Sequence, residues 1–301
     1  MIDRKNPSKE SLNGFIVINK PLGVTSQWVV NRIKKLFSAR RVGHVGTLDP
    51  FATGVLPIAL GKANRLAEVI HSQPKSYVAE LSFGFKTSTG DLEGDIIAQS
   101  DIIPSPKDIA EILPEFIGQI EQTPPKYSAI KVEGRRAYEL ARQGQFFSLP
   151  TRKVEIYSLE ALEFRACTLK LAISCSSGTY IRSLAEDIAE RLGAYGYLSN
   201  LVRTSVGAFS IESSITIEEL ESVGDYLQPA LIHPPDDALT HLPAVVLDER
   251  DVQRISNGAT VKMAHTSEEP IPLVRIYSAN GEIVGLAESR DNTLFPRIML
   301  K

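Results

Sequence analysis

The chain has 301 residues, with 33 basic and 36 acidic side chains and a formal net charge of −3. Apolar residues make up 43% and charged residues 23%, which excludes a disordered or collagen-like polymer and leaves a core that needs no disulfide staples. No stretch reaches the ~18 successive apolar residues of a membrane span, and the charged start lacks the apolar segment of a secretion signal, so a cytoplasmic protein is expected.

Residues 14–19 read as a buried strand ending at Lys20-Pro21. Thr25-Ser26 caps a helix whose apolar positions Val29, Val30, Ile33 and Phe37 fall at helical spacing. Residues 41–57 contain Gly43, Gly46, Gly54, Pro50 and Pro57 with no clean period. They read as one irregular loop of about 15 residues, a length that is usually functional inside a compact domain. Residues 64–70 look helical. Residues 76–85 alternate, which places Tyr77, Ala79, Leu81 and Phe83 on one face of a strand. A polar turn follows at 87–94 and a weak helix at 107–116. Thr123-Pro124-Pro125 breaks the chain before a basic excursion, 126–153, with a short helix near 136–143. Strands are expected at 154–162, 169–175 and 206–211, a turn at 176–182 and a strong helix at 183–192. Thr216 caps a Glu-rich helix, and 229–243 reads as a linker. The remainder reads as a helix at 248–256 and short strands near 260–263, 272–277, 283–288 and 295–299. Asn280-Gly281 is a hairpin signal between two of them, and this unit suggests a small β-barrel. The two cysteines, Cys167 and Cys175, read as lying in one strand, too far apart to bond and too few for a zinc site.

The small net charge hides an asymmetry. Residues 11–48 carry six bases and no acid, and residues 122–154 carry seven bases against Glu133 and Glu139. Residues 211–251 reverse the sign, with ten acids against Arg250 alone. Charge runs are most often solvated faces, yet an acid-free run of this length points toward a nucleic-acid partner. Phosphate-loop, dinucleotide, HExxH and CxxC motifs are all missing, and the five histidines do not pair at metal-ligand spacing. No metal, nucleotide cofactor or other cofactor is therefore expected. Asp49 stands out because Pro50 holds it extended and neighbouring glycines allow close backbone approach. Its plainer reading is an Asx-turn residue. The loop offers no second carboxylate for glycoside hydrolysis, and a lone carboxylate in basic company suits a nucleophile or base.

Seven segments resemble, in order and spacing, the TruB family of bacterial tRNA pseudouridine synthases. They are Lys20-Pro-Leu-Gly-Val-Thr-Ser26, Gly43 through Pro57, Lys75-Ser-Tyr77, Thr87 through Gly94, Pro124 through Lys131, Gly178-Thr-Tyr-Ile-Arg182 and Leu201-Val-Arg-Thr204. The resemblance implies an α+β fold: a mixed β-sheet pseudouridine synthase core flanked by helices, over residues 1–238, plus a C-terminal PUA-like β-barrel over 239–301 that binds RNA. It implies isomerisation of uridine to pseudouridine at position 55 of the T-loop, with the tRNA T stem-loop as partner. It makes Asp49 the catalytic aspartate, Tyr77 the residue stacked on uracil and Arg182 the partner of the carboxylate. Among substrate-binding positions it implies His44 at the flipped-out RNA and Tyr180 and Leu201 along the uridine pocket. Lys20 and Pro21 would pack beneath the active-site loop, and the insertion at 124–153, with Lys131, would close over the T-loop. In isolation Tyr77 reads as a core strand residue, Arg182 as a surface arginine and His44 as a satisfied loop histidine.

An Arg182 guanidinium within ~4–6 Å would hold Asp49 ionised and lower its pKa. The competing reading is a non-catalytic tRNA-binding chaperone, which would not need Asp49, Tyr77 and Arg182 together. The composition is compatible with a monomer.

Overall fold

The computed structural model describes residues 12–128, 130–132, 134–223, 228–263 and 273–300. Nine strands form the main sheet: β1 (Gly14–Lys20), β2 (Val42–His44), β3 (Thr53–Leu60), β4 (Lys75–Phe83), β5 (Gly118–Gln122), β6 (Arg152–Arg165), β7 (Thr168–Cys175), β8 (Gly196–Val206) and β9 (Phe209–Ser210). Their order is β1-β3-β8-β4-β7-β6-β5, with β9 beside β8 and β2 beside β3. The β3–β8 pair is parallel and its neighbours are antiparallel, so the sheet is mixed as expected. Helices α1 (Ser26–Leu36) and α2 (Ile181–Arg191) pack on one face.

Both faces of β1 are buried. Ile16 and Ile18 join Val29, Ile33, Leu184 and Ile188 in the helix-side core. Phe15 and Val17 join Val55, Leu66, Ile70 and Phe209 in the core behind the sheet. This is the period-2 alternation of a strand written with apolar residues at every position.

A second sheet holds β10 (Ala244–Leu247), β11 (Val261–Lys262), β12 (Val274–Ser278), β13 (Ile283–Arg290) and β14 (Thr293–Met299), in the order β10-β12-β13-β14-β11, with α3 (Glu249–Ser256) alongside. The Asn280-Gly281 turn forms as read, with Gly281 N–H donating to Ser278 O at 2.9 Å. The expected strand at 272–277 is β12; its first position, Pro272, lies outside the described residues.

Four expectations change. Residues 41–57 are not one loop, because β2 and β3 claim both ends and leave 45–52 between them. Pro57 sits inside β3, where its carbonyl still accepts from Val45 N–H at 2.9 Å. A strand expected at 206–211 is the short β9; the long one is β8, which precedes it. Residues 229–243 are not a free linker, since Ala238 and Leu239 are buried in the core and His233 pairs with Phe15. Cys167 lies in the turn between β6 and β7 rather than in a strand with Cys175, and both thiols are free. Among the described residues no helix is long and apolar enough to cross a membrane.

Candidate active site

The chain between β2 and β3 is held from beneath at several points. The Ser26 hydroxyl donates to Leu48 O at 3.0 Å and accepts from Leu48 N–H at 2.9 Å. The Lys20 ammonium donates to the carbonyls of Pro21, Val24 and Pro50 at 2.9, 2.7 and 3.2 Å. Gly23 N–H donates to Pro50 O at 2.9 Å. Leu48, Phe51 and Ala52 are buried in the helix-side core. Asp49, in this anchored turn, lines the cavity, and its side chain keeps 36% of its surface exposed.

The cavity has a volume of about 850 Å³. Asp49, Tyr77, Tyr180, Arg182 and Leu201 all line it, so five residues singled out in the sequence meet at one place. They come from the β2–β3 loop, β4, the turn before α2, the first turn of α2, and β8. Arg182 is buried, with Nε 3.0 Å from Asp49 Oδ2 and Nη1 3.4 Å from Asp91 Oδ2. The guanidinium also donates to Thr89 O and Tyr127 O, each at 2.9 Å. Asp91 accepts from the Thr89 hydroxyl at 2.5 Å and from Glu93 N–H at 3.0 Å. Gln122 fixes the Tyr180 backbone by donating to its carbonyl at 3.0 Å and accepting from its N–H at 2.7 Å. The Arg152 guanidinium lies 4.5 Å from the centre of the Tyr180 ring, within cation–π range. Tyr127, Ile130 and Tyr138 of the insertion complete the wall.

The electrostatics differ from the sequence expectation in one respect. Burial pushes the Asp49 carboxyl above the usual carboxylate range, and nearby Asp91 adds to this. Arg182 pulls in the opposite direction, as expected, but Asp91 shares its charge and burial outweighs the pull. Burial likewise raises the Tyr77 phenol, against a downward pull from Arg203. It lowers the Lys20 ammonium to about 8.

Three of the expected substrate-binding residues lie off the cavity wall. Lys20 is wholly enclosed and its donors go to backbone, so it supports the loop from below. His44 lies on β2, and among the described residues nothing hydrogen-bonds its buried Nδ1. Burial first, then Arg203 and His71, lower its pKa. Lys131 is exposed on a small hairpin, Lys131–Val132 against Arg135–Arg136, within the insertion.

The sequence reading passed over Asp91, Gln122, Arg152 and Arg203. Asp91 and Arg203 stand inside motifs quoted above and were available as charged residues there. Arg152 and Gln122 carry no local signal and are joined only by the β5–β6 register, which sets them opposite each other.

Three family models tile the chain. The TruB family pseudouridylate synthase N-terminal domain matches residues 34–181. The tRNA pseudouridylate synthase B C-terminal domain matches 182–240, and the pseudouridine synthase II TruB C-terminal model matches 243–300. A tRNA pseudouridine synthase B of Thiobacillus denitrificans is 38% identical over 294 residues, covering 98% of each chain. Another, of a Nostoc species, is 41% identical over 297 residues, covering 96% of this chain and 99% of its own. Among solved structures, an H/ACA RNP bound to a substrate RNA containing 2′-deoxyuridine superposes with a TM-score of 0.74 at 26% identity, over 99% of this chain and 88% of the other. A Cbf5-Nop10-Gar1 complex gives a TM-score of 0.71 at 28% identity, covering 95% and 80%. Sequence match, fold and the joining of the seven motif segments around one cavity agree, and the chain belongs to the TruB family of pseudouridylate synthases.

Proposed function

We propose that the chain isomerises uridine to pseudouridine at position 55 in the T-loop of tRNA. Asp49 is the catalytic carboxylate, Tyr77 stacks on the extruded uracil, and Arg182 holds the carboxylate in place. The observation that carries this reading is the juxtaposition of the Asp49–Arg182 ion pair with Tyr77 and Leu201 at one cavity.

The reaction breaks N1–C1′ and makes C5–C1′, with nothing oxidised and no water added, so no cofactor is required. A uracil stacked in a folded loop must first be extruded, at a cost of a few kcal/mol. Stacking on an aromatic face returns roughly 1–3 kcal/mol, and Tyr77 and Tyr180 both offer rings at the wall. Leu201 and Ile181 give the cavity apolar sides, which suits a detached base that must be kept from water. The second sheet is the PUA-like unit, assigned from residue 239, that supplies further RNA contact. The working form is a cytoplasmic monomer.

The test is tritium release from C5-labelled uridine in a T stem-loop RNA, with no metal or cofactor added. Release with formation of pseudouridine is expected. Tight binding without release would instead favour the tRNA-binding chaperone.

A further inference from the structure

We infer that Arg152 binds a backbone phosphate of the RNA beside the extruded uridine. The inference deepens the reading of tRNA as the substrate and rests on it. Arg152 lines the cavity, and its Nε and Nη2 are buried with no hydrogen-bond partner among the described residues. No carboxylate of the described residues forms an ion pair with it. The two fully enclosed arginines of the same cavity are different. Arg182 is taken up by Asp49, Asp91, Thr89 O and Tyr127 O. Arg203 donates to the carbonyls of Val55, Gly46 and Thr47 at 2.7, 3.0 and 3.5 Å.

The strand register explains where Arg152 stands. Pairing of β5 with β6 sets it opposite Gln122, and the two side chains act on the same turn. Gln122 holds the Tyr180 backbone through two hydrogen bonds, while the Arg152 guanidinium lies over the Tyr180 ring. A guanidinium placed over a ring commits its face and keeps its planar N–H fork, whose geometry matches a phosphate. Ser128, near the other end of the insertion, lines the same cavity. Its buried hydroxyl also lacks a hydrogen-bond partner among the described residues.

The charge selects the ligand. Burying an unpaired guanidinium is costly, and the cost is offset when an anion arrives. A uracil carbonyl would accept a hydrogen bond and leave the charge unbalanced. A phosphodiester supplies acceptor oxygens and the opposite charge together, and a nucleotide turned out of its stack carries one on each side of its ribose.

The experiment titrates wild type and Arg152→Gln with T stem-loop RNAs whose target uridine has native linkages, or an uncharged methylphosphonate on its 5′ or its 3′ side. The adjoining riboses are 2′-O-methylated in every RNA to keep the linkages intact. Neutralising one of the two linkages is expected to weaken wild-type binding about tenfold, the low end for a charge-assisted hydrogen bond. In Arg152→Gln the same change is expected to cost less than about twofold, because the partner is already gone. The salt slope on native RNA should flatten by about 0.7–0.9, one phosphate contact. Equal losses in both proteins, or an unchanged slope, would overturn the proposal. Weaker binding by the variant with no response to either linkage would point to a base contact and reject it too. Arg152→Gln is expected to melt no lower than wild type, whereas a residue that only props the Tyr180 ring would lower the melting point and show no coupling. If Arg152→Gln does not fold, Arg152→Met, which keeps the stem packed, goes through the same cycle, and failure of both to fold rejects the phosphate role. A wild type that shows the coupling yet forms no pseudouridine would reject the proposed reaction and keep this contact.

Discussion

In the proposed reaction Asp49 is the reactive side chain, and its surroundings act against its ionised form. Its folded-state pKa lies above the ordinary value of 3.8 because burial and Asp91 together outweigh Arg182. A carboxyl raised in this way favours folding below its unfolded pKa, and that contribution is lost as pH rises through the folded pKa. Above that folded pKa the ionised form is retained against stability. Asp49→Asn is therefore expected to make no pseudouridine, to bind the T stem-loop RNA, and to melt no lower than wild type. Product analysis, a binding titration and a melting curve check the three parts. The same pKa governs the acid limb of the rate profile. In the proposed reaction the carboxylate is the active form, so the rate is expected to fall as pH drops through a value above the usual Asp range. Asp91→Asn removes a negative charge that raises Asp49, and the limb moves to lower pH in single-turnover profiles. A limb displaced upward would contradict the assigned coupling. Asp49 and Arg182 were legible as a pair only through the family motifs, since 133 residues of sequence separate them (182 − 49). The burial that reverses the sign of the shift is a property of the assembled cavity and leaves no trace in either motif.

At the scale of elements, β3 and β8 form the hinge of the site, and they were read least well. Residues 53–57 looked like loop because Gly54 and Pro57 punctuate them. Burial and pairing on both edges override that local chemistry. The strand β8 was missed because register shifts at Leu198/Asn200 and Arg203/Ser205 break its two-residue period. By contrast β4, with an unbroken alternation of buried positions, was read almost to its ends. Gly54 has φ +100°, and a Cβ added there would lie 2.2 Å from Arg203 O. That close approach is what lets the parallel pair form. Gly54→Ala has no flexible neighbour to yield, because the obstructing atom is backbone. Positive φ costs roughly 1–2 kcal/mol for a side-chain-bearing residue, and overpacking adds about 1–3 kcal/mol. A loss of at least about 2 kcal/mol in denaturant unfolding is expected, together with loss of turnover. An Ala variant of wild-type stability would mean that β3 and β8 are not so tightly joined.

Across the whole molecule, charge is segregated so that an acidic protein presents basic ground to an anionic ligand. The C-terminal sheet is packed directly on the rear of the main sheet. Leu286 shares a core cluster with Phe15, and Arg65 donates to Met299 O at 2.6 Å. Acidic residues at 211–251 lie on the segments that lead from one unit to the other, while the insertion at the cavity rim is basic. Lys126, Lys131 and Lys153 are exposed there, and the cavity wall itself is drawn from other residues of the insertion. This pattern was legible in the charge runs, but which bases face the site was not, because exposure depends on the hairpin and helix that the insertion forms. Phosphate contacts release counterions, so the logarithm of affinity falls with the logarithm of salt by about 0.7–0.9 per contact. Replacing Lys126, Lys131 and Lys153 together by Gln is expected to flatten that slope by about 2–3 units. The single-turnover rate at saturating RNA should stay near wild type, since none of the three lines the cavity. A slope unchanged by the triple substitution would place the RNA path elsewhere on the surface, whereas a reduced rate at saturation would mean that the insertion takes part in the closed reactive geometry.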